Sequence, residues 1–209
     1  MKQWLVGELS WTRLLKSIAF IYGCVAVFVF FYADRLIFQP QPASYPDSQN
    51  ILKLKAVDGE MISAIYLPNP AATYTLLSAH GNAEDLGQIL PALLDLQQMG
   101  FAVFSYDYRG YGTSQGNPSE RNAYRDIDAA YQYLTTTLNV KPQQLIVYGR
   151  SVGGGSAIDL ASHQPVAGAI VESTFTTAFR VLTRIPLFPF DKFSNIDKLD
   201  RLNCSLLVI

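Results

Sequence analysis

A serine side chain is held out alone, ready to attack, when the backbone turns sharply from a strand into a helix. The stretch Gly149-Arg150-Ser151-Val152-Gly153 has the Gly-x-Ser-x-Gly spacing of such a turn. Small residues are needed on both sides, because a Cβ there would collide across the turn. Before it runs Leu145-Ile146-Val147-Tyr148, a short apolar β-run. After it, Gly153-Gly154-Gly155-Ser156-Ala157 opens a helix of small residues. That helix aims its free N–H groups and positive dipole end at the point where an oxyanion would form. The bare pattern is common, and a glycine-rich turn with an incidental serine reads the same. The strand before and the helix after favour the chemical reading. A nucleotide loop does not fit. After Gly153 and Gly155 the third fingerprint glycine would fall at Ile158, and no Lys follows as a phosphate loop requires.

The elements that must position this serine are legible on either side of it. Residues 51–57 and 61–67 flank Asp58-Gly59, a hairpin signal. Residues 74–79 read as a strand running into His80-Gly81-Asn82-Ala83-Glu84-Asp85, with a helix over about 84–98 closed by Gly100. A strand over 101–106 precedes the glycine-rich Asp107–Gly116 loop (written DYRGYGTSQG), and Ser119 is positioned to cap a long amphipathic helix. Further strands are expected at 166–172 and 204–209. Strands alternating with helices imply a mostly parallel, doubly wound α/β sheet covered on both faces, with an antiparallel hairpin at its start. Sites in such sheets form at the carboxyl ends of strands, and His80, Asp107, Ser151 and Glu172 all fall there.

The chain has 209 residues, 49% of them hydrophobic, and a net charge of −1. That suits one globular domain plus an apolar appendage, and gives no basic block to bind nucleic acid. Cys24 and Cys204 lie far apart in apolar runs and read as buried residues, not a disulfide or metal site. Residues 1–16 carry Lys2, Arg13 and Lys16 against Glu8, and residues 17–33 carry no charge. The uncharged run spans about 25 Å as a helix and reads as a membrane anchor. No small-x-small site follows it, so an anchor is favoured over a cleaved signal peptide. The basic excess before it predicts a cytoplasmic N-terminus with the domain outside. Residues 34–50 read as an extended, Pro-containing linker partly packed on the domain at 51–209.

Together, His80-Gly81-Asn82-Ala83, Asp107-Tyr108-Arg109-Gly110-Tyr111-Gly112-x-Ser114-x-Gly116, Gly149-x-Ser151-x-Gly153-Gly154 and Glu172-Ser173-x-Phe175 resemble the α/β-hydrolase superfamily. Within it the chain is most similar to membrane-anchored serine hydrolases of the abhydrolase-domain group. The resemblance implies a Ser151 nucleophile acting on the acyl ester, thioester or amide of an acyl-containing substrate. It implies oxyanion donors at the Val152 and Asn82 N–H groups, and no metal or cofactor. It makes His80 a structural loop residue; Asp107 and Arg109 read as loop-ordering residues, because an Asp and an Arg near strand ends more often brace turns than do chemistry. Residues 176–201, with Phe188, Phe190 and Phe193, read either as a cap over an acyl pocket or as a packed connection.

The resemblance also implies an acid and then a histidine after the serine. The one later histidine, His163, lies about 18 Å along the helix from Ser151 and reads as structural. Glu172 is the candidate acid within the chain. The expectation is therefore a fold lacking its last strands and a triad missing its acid and base, weakly active or inactive as it stands. The other reading is a non-catalytic α/β-hydrolase scaffold that binds an acyl ligand or a protein.

Overall fold

A computed structural model describes residues 10–209; residues 1–9, with the Lys2 and Glu8 of the expected N-terminal segment, lie outside them. The chain divides into two units, Met1–Ala33 and Asp34–Ile209. The described part of the first is one helix, α1 (Trp11–Ile37), whose last turn belongs to the second unit. Ser10 Oγ accepts the Arg13 N–H at 3.2 Å and caps its start. The helix is longer than the uncharged run at both ends, because charged residues there are good helix formers and nothing breaks the pattern. Its most apolar window has a mean hydropathy of 2.2, long and apolar enough to cross a membrane. Cys24 lies exposed on it and Cys204 is half-buried, so neither is the buried residue expected. Cys24 belongs to a helix whose apolar side chains are mostly exposed, such as Phe20 and Phe31.

The second unit is built on a seven-stranded sheet in the order β1-β2-β4-β3-β5-β6-β7. The expected hairpin is β1 (Leu52–Lys55) with β2 (Met61–Leu67), antiparallel, turning at Gly59 with φ 94°. Then come β3 (Thr75–Ala79), α2 (Leu86–Gln98), β4 (Ala102–Tyr106) and α3 (Glu120–Gln132). The last is prolonged by one π-helical turn, Tyr133–Thr137. β5 (Leu145–Arg150), α4 (Val152–His163), β6 (Gly168–Glu172) and β7 (Ser205–Val208) complete it. β3 to β7 are parallel neighbours wherever they pair, and β2 joins β4 antiparallel. β3 is central: β4 lies to one side and β5 to the other. The chain reverses its direction of advance there, and a crevice opens at the carboxyl ends of such strands.

α3 and α4 pack together and bury Leu77, Val147, Ala169 and Val171 beneath Ile127, Ala130, Ala157 and Leu160. α2 packs on β2 and β4. The expectation of helices over both faces holds only partly. Buried and half-buried residues alternate along β5 and β6, and the half-buried Ile146, Tyr148 and Ile170 share one face, which is only partly covered there. A cavity of about 270 Å³ lies between α2 (Ile89, Leu93, Leu96) and Ser78, Tyr148 and Glu172; Ser151 does not line it.

Candidate active site

Ser151 sits between β5 and α4 with φ 53° and ψ −116°, a conformation a non-glycine residue holds only when its surroundings impose it. Three contacts impose it. The Ser151 N–H donates to Glu172 O at 2.9 Å, Thr174 Oγ1 donates to Ser151 O at 2.8 Å, and the Gly154 N–H donates to the same carbonyl at 3.0 Å. The glycines around it are a matter of space. A Cβ on Gly149 would overlap Gly153, one on Gly153 would overlap Ala79 O, and one on Gly154 would overlap Thr174. The Ser151 side chain caps nothing, and among the described residues its Oγ makes no hydrogen bond. α4 therefore brings the Val152 N–H, first in the helix, against the end of β3, where Asn82 follows two residues after His80.

The loop after β3 is tied down by its side chains. Asn82 Oδ1 accepts from the Gln39 N–H (3.0 Å), the Tyr111 hydroxyl (2.5 Å) and the Ala83 N–H (3.0 Å), while its Nδ2 donates to Ile37 O at 2.5 Å. Ala83 takes φ 58° here. Asp85 caps α2 in a capping box with Gln88 and accepts both the backbone N–H and hydroxyl of Ser44. Burial pushes the Asp85 carboxyl up, but the Ser44 and Gln88 donors outweigh it, and the net shift is downward. Residues 38–45, expected as linker, are thus laid directly along this loop.

Asp107 and Arg109 order loops, as their residue types near strand ends suggested. Asp107 is fully buried, accepts the Leu86 N–H at 2.9 Å and is bonded by the Tyr45 hydroxyl. Arg109 joins Asp126 (2.8 Å) to Asp58 (2.6 Å), bracing α3 against the β1–β2 turn. Burial pushes the Asp126 carboxyl up to about 6, against the pull of Arg109. The Arg109 hydrogen bond holds Asp58 low. His80 is buried, with Nδ1 2.7 Å from Gly81 O and Nε2 3.2 Å from Asp107, so its ring serves the loop. His163 ends α4 and pairs with Asp128 at 2.9 Å, between α4 and α3. Glu172 is brought to the same strand edge as Ser151, but its carboxylate accepts from the Tyr148 hydroxyl and lies 3.9 Å from Arg150. No described histidine bonds it. Burial first, then Glu172, holds Tyr148 well above the usual phenol value.

The region 176–201 resolves into short 3₁₀ turns and coil. Phe193 is fully buried against Phe38, Tyr124 and Phe175 and closes over Gly155, so it is core and not a pocket wall. Phe188 and Phe190 stack with each other and meet Phe179 edge-on, around a cavity of only about 20 Å³. Packed connection describes this segment better than cap. Sequence reasoning missed Thr174, Tyr111 and Tyr45. Each acts through a hydroxyl aimed at a residue 23 to 72 positions away, and local pattern carries no signal for that. Among the described residues no cluster could hold a metal ion.

Comparison with known proteins agrees with this architecture. The family described as serine aminopeptidase, S33, matches residues 70–189. Alpha/beta hydrolase domain-containing protein 17B of Xenopus laevis is 43% identical over 143 residues, 67% of this chain and 50% of that protein. The 17C protein of Homo sapiens is 44% identical over 144 residues, 67% of this chain and 44% of that protein. The chain thus spans about half the length of the curated relatives it matches. Among solved structures, an alpha-beta hydrolase from Vibrio vulnificus superimposes with a TM-score of 0.64 at 22% identity, covering 76% of this chain and 62% of that one. The Pyrococcus furiosus esterase Pf2001 does so with 0.63 at 18%, covering 81% and 76%. With the matched region holding both the loop after β3 and the turn at Ser151, the chain belongs to the α/β-hydrolase superfamily.

Proposed function

We propose that this chain carries the nucleophile and oxyanion hole of a membrane-anchored serine hydrolase. It cleaves an acyl ester, thioester or amide. The observation that carries the reading is Ser151 itself: a strained, non-glycine turn backed by glycines that admit nothing larger. Strain at one polar residue persists where function requires it. Ser151 Oγ, giving its proton to a general base, attacks the acyl carbon while the Val152 and Asn82 N–H groups receive the charge on the carbonyl oxygen. A pair of such donors lowers the barrier by roughly 3 kcal/mol or more. Collapse of that adduct breaks the bond to the alcohol, thiol or amine, which leaves protonated, and water then hydrolyses the acyl–Ser151 ester. The base that takes the serine proton is neither His80 nor His163, whose rings are committed elsewhere. α1 anchors the domain in the bilayer, its N-terminus on the cytoplasmic side, consistent with the basic excess before the span.

One observation favours a second reading, a scaffold that binds without catalysis: among the described residues nothing hydrogen-bonds Ser151 Oγ to activate it. An alkyl fluorophosphonate separates the two. Applied to the full chain in membranes, it should label the protein at Ser151 and leave Ser151→Ala unlabelled. Absence of label on the unaltered chain discards the hydrolase reading in favour of the scaffold.

A further inference from the structure

We propose that residues 37–45, the stretch leaving α1, are a working part of the oxyanion hole: a strap that fixes the Asn82 N–H through the Asn82 side chain. This rests on the reading of Asn82 as an oxyanion donor. An oxyanion donor is useful only if its position is set before charge develops, since reorganisation at that moment forfeits the advantage.

The loop 80–85 sets that position only in part by itself, through the Gly81 N–H donating to Glu84 Oε2 at 3.0 Å and Glu84 pairing with Arg150 at 2.8 Å. It lies between strand and helix, and Ala83 holds a positive φ that isolated alanine avoids. The strap supplies what is missing, at both ends of the loop. At the first end, one backbone amide, Gln39 N–H, is shared between Asn82 Oδ1 (3.0 Å) and Tyr111 Oη (2.9 Å). The Tyr111 hydroxyl closes the triangle by donating to Asn82 Oδ1, and Asn82 Nδ2 reaches Ile37 O. All the hydrogen-bonding of the Asn82 amide oxygen and its Nδ2 bond are thereby spent on holding the residue, none on a ligand. At the second end, Ser44 binds Asp85 and Tyr45 binds Asp107, which itself holds the Leu86 N–H. The strap lies so close that a Cβ on Gly87 would overlap Ser44, and one on Gly112 would sit 2.6 Å from the Tyr45 hydroxyl. Phe38 and Tyr111 are buried beneath it, with ring centroids 6.4 Å apart, while Gln39 is exposed and Asn82 half-buried, so the triangle sits at the surface on an aromatic floor.

Residues 39–44 are exposed, yet the bonds of the strap go to Asn82, early in the loop after β3, and to Asp85 at its end. Ile37, Gln39 and Tyr111 are positioning residues that act through the Asn82 side chain, and Ser44 and Tyr45 brace the far end of the loop through Asp85 and Asp107; none need touch the acyl group.

The test uses the full chain in membranes with three variants. Tyr111→Phe removes one hydroxyl without changing shape. Gln39→Pro deletes the shared N–H from the strap and leaves the loop sequence intact. Asn82→Ala removes the whole anchor. Each is followed in two ways: by hydrogen exchange of the peptide spanning 80–85, and by saturation kinetics of fluorophosphonate labelling at Ser151. The expected result is faster exchange at 80–85 in all three. The limiting rate of labelling should fall about tenfold or more for Asn82→Ala, less for the other two, with the half-saturating probe concentration unchanged. A merely structural loss would lower the labelled fraction, not the rate of what remains. Unchanged exchange at 80–85, or unchanged limiting rates alongside faster exchange, overturns the proposal. If the unaltered chain takes no label, the hydrolase reading fails separately, and exchange at 80–85 alone then decides whether the strap holds the loop.

Discussion

Single atoms decide the site. In an ordinary helix, alanine in place of glycine is favourable by up to about 1 kcal/mol. At Gly153 the new methyl would overlap the Ala79 carbonyl, backbone that cannot swing aside. Gly153→Ala is therefore expected to destabilise by about 2 kcal/mol or more, read as a fall in the thermal midpoint; an unchanged or higher midpoint contradicts the close approach of α4 to β3. Ser44 and Asp85 give a pH-dependent counterpart. The folded carboxyl lies below the ordinary value of 3.8, so it adds stability that is present above pH 3.8 and is lost as pH falls through the lower folded value. Ser44→Ala should cost about 1 kcal/mol at neutral pH. Measured by denaturant unfolding, that difference should shrink as the pH drops below 3.8; a constant difference would place the Ser44 bond outside the ionised form of Asp85. At this scale the sequence was most readable where a residue's type is its function. Ser151 and the glycines announced themselves, while Tyr111 and Thr174, whose hydroxyls could have faced anywhere, did not.

Elements were read well where local chemistry ends them. Ser119 caps α3 as expected, accepting the Asn122 N–H at 3.2 Å, whereas α2, expected from about residue 84, starts at Leu86 with Asp85 as its cap. Reading was poorer where packing over distance decides. Residues 38–50 have no regular structure, so a linker was a fair expectation, yet 38–45 are held by partners 40 or more positions away. Phe193, with Phe188 and Phe190, left cap and packed connection both open, and is a pin through the layer of α3, α4 and Phe38. Phe193→Ala is expected to cost about 3–5 kcal/mol, lowering the unfolding midpoint far more than Val181→Ala, whose side chain is exposed. Equal effects of the two would show the segment to be surface throughout.

The whole molecule carries its polar residues to one strand edge because the sheet advances both ways from β3. Alternating strand and helix signals made that architecture legible, though not the openness of one face of β5 and β6 or the bond between Glu172 and Tyr148, which depend on what lies across the sheet. Among the described residues β7 pairs only with β6, and Leu207 and Val208 are exposed on it. Leu207→Lys should lower cross-linking between copies of the chain in detergent by blunting edge-to-edge association; cross-linking unchanged or raised would mean that edge is not an association route. The central place of β3 also has a meaning in time. It gains β4 on one side soon after both are made, but its other side waits for β5, separated from β4 by residues 107–144. At roughly 5–20 residues per second on the ribosome, that side stays bare for some seconds. For that interval the nascent chain presents an unpaired apolar strand at the place where its serine will later be seated, and slowing synthesis between β4 and β5 should lengthen its dependence on chaperones.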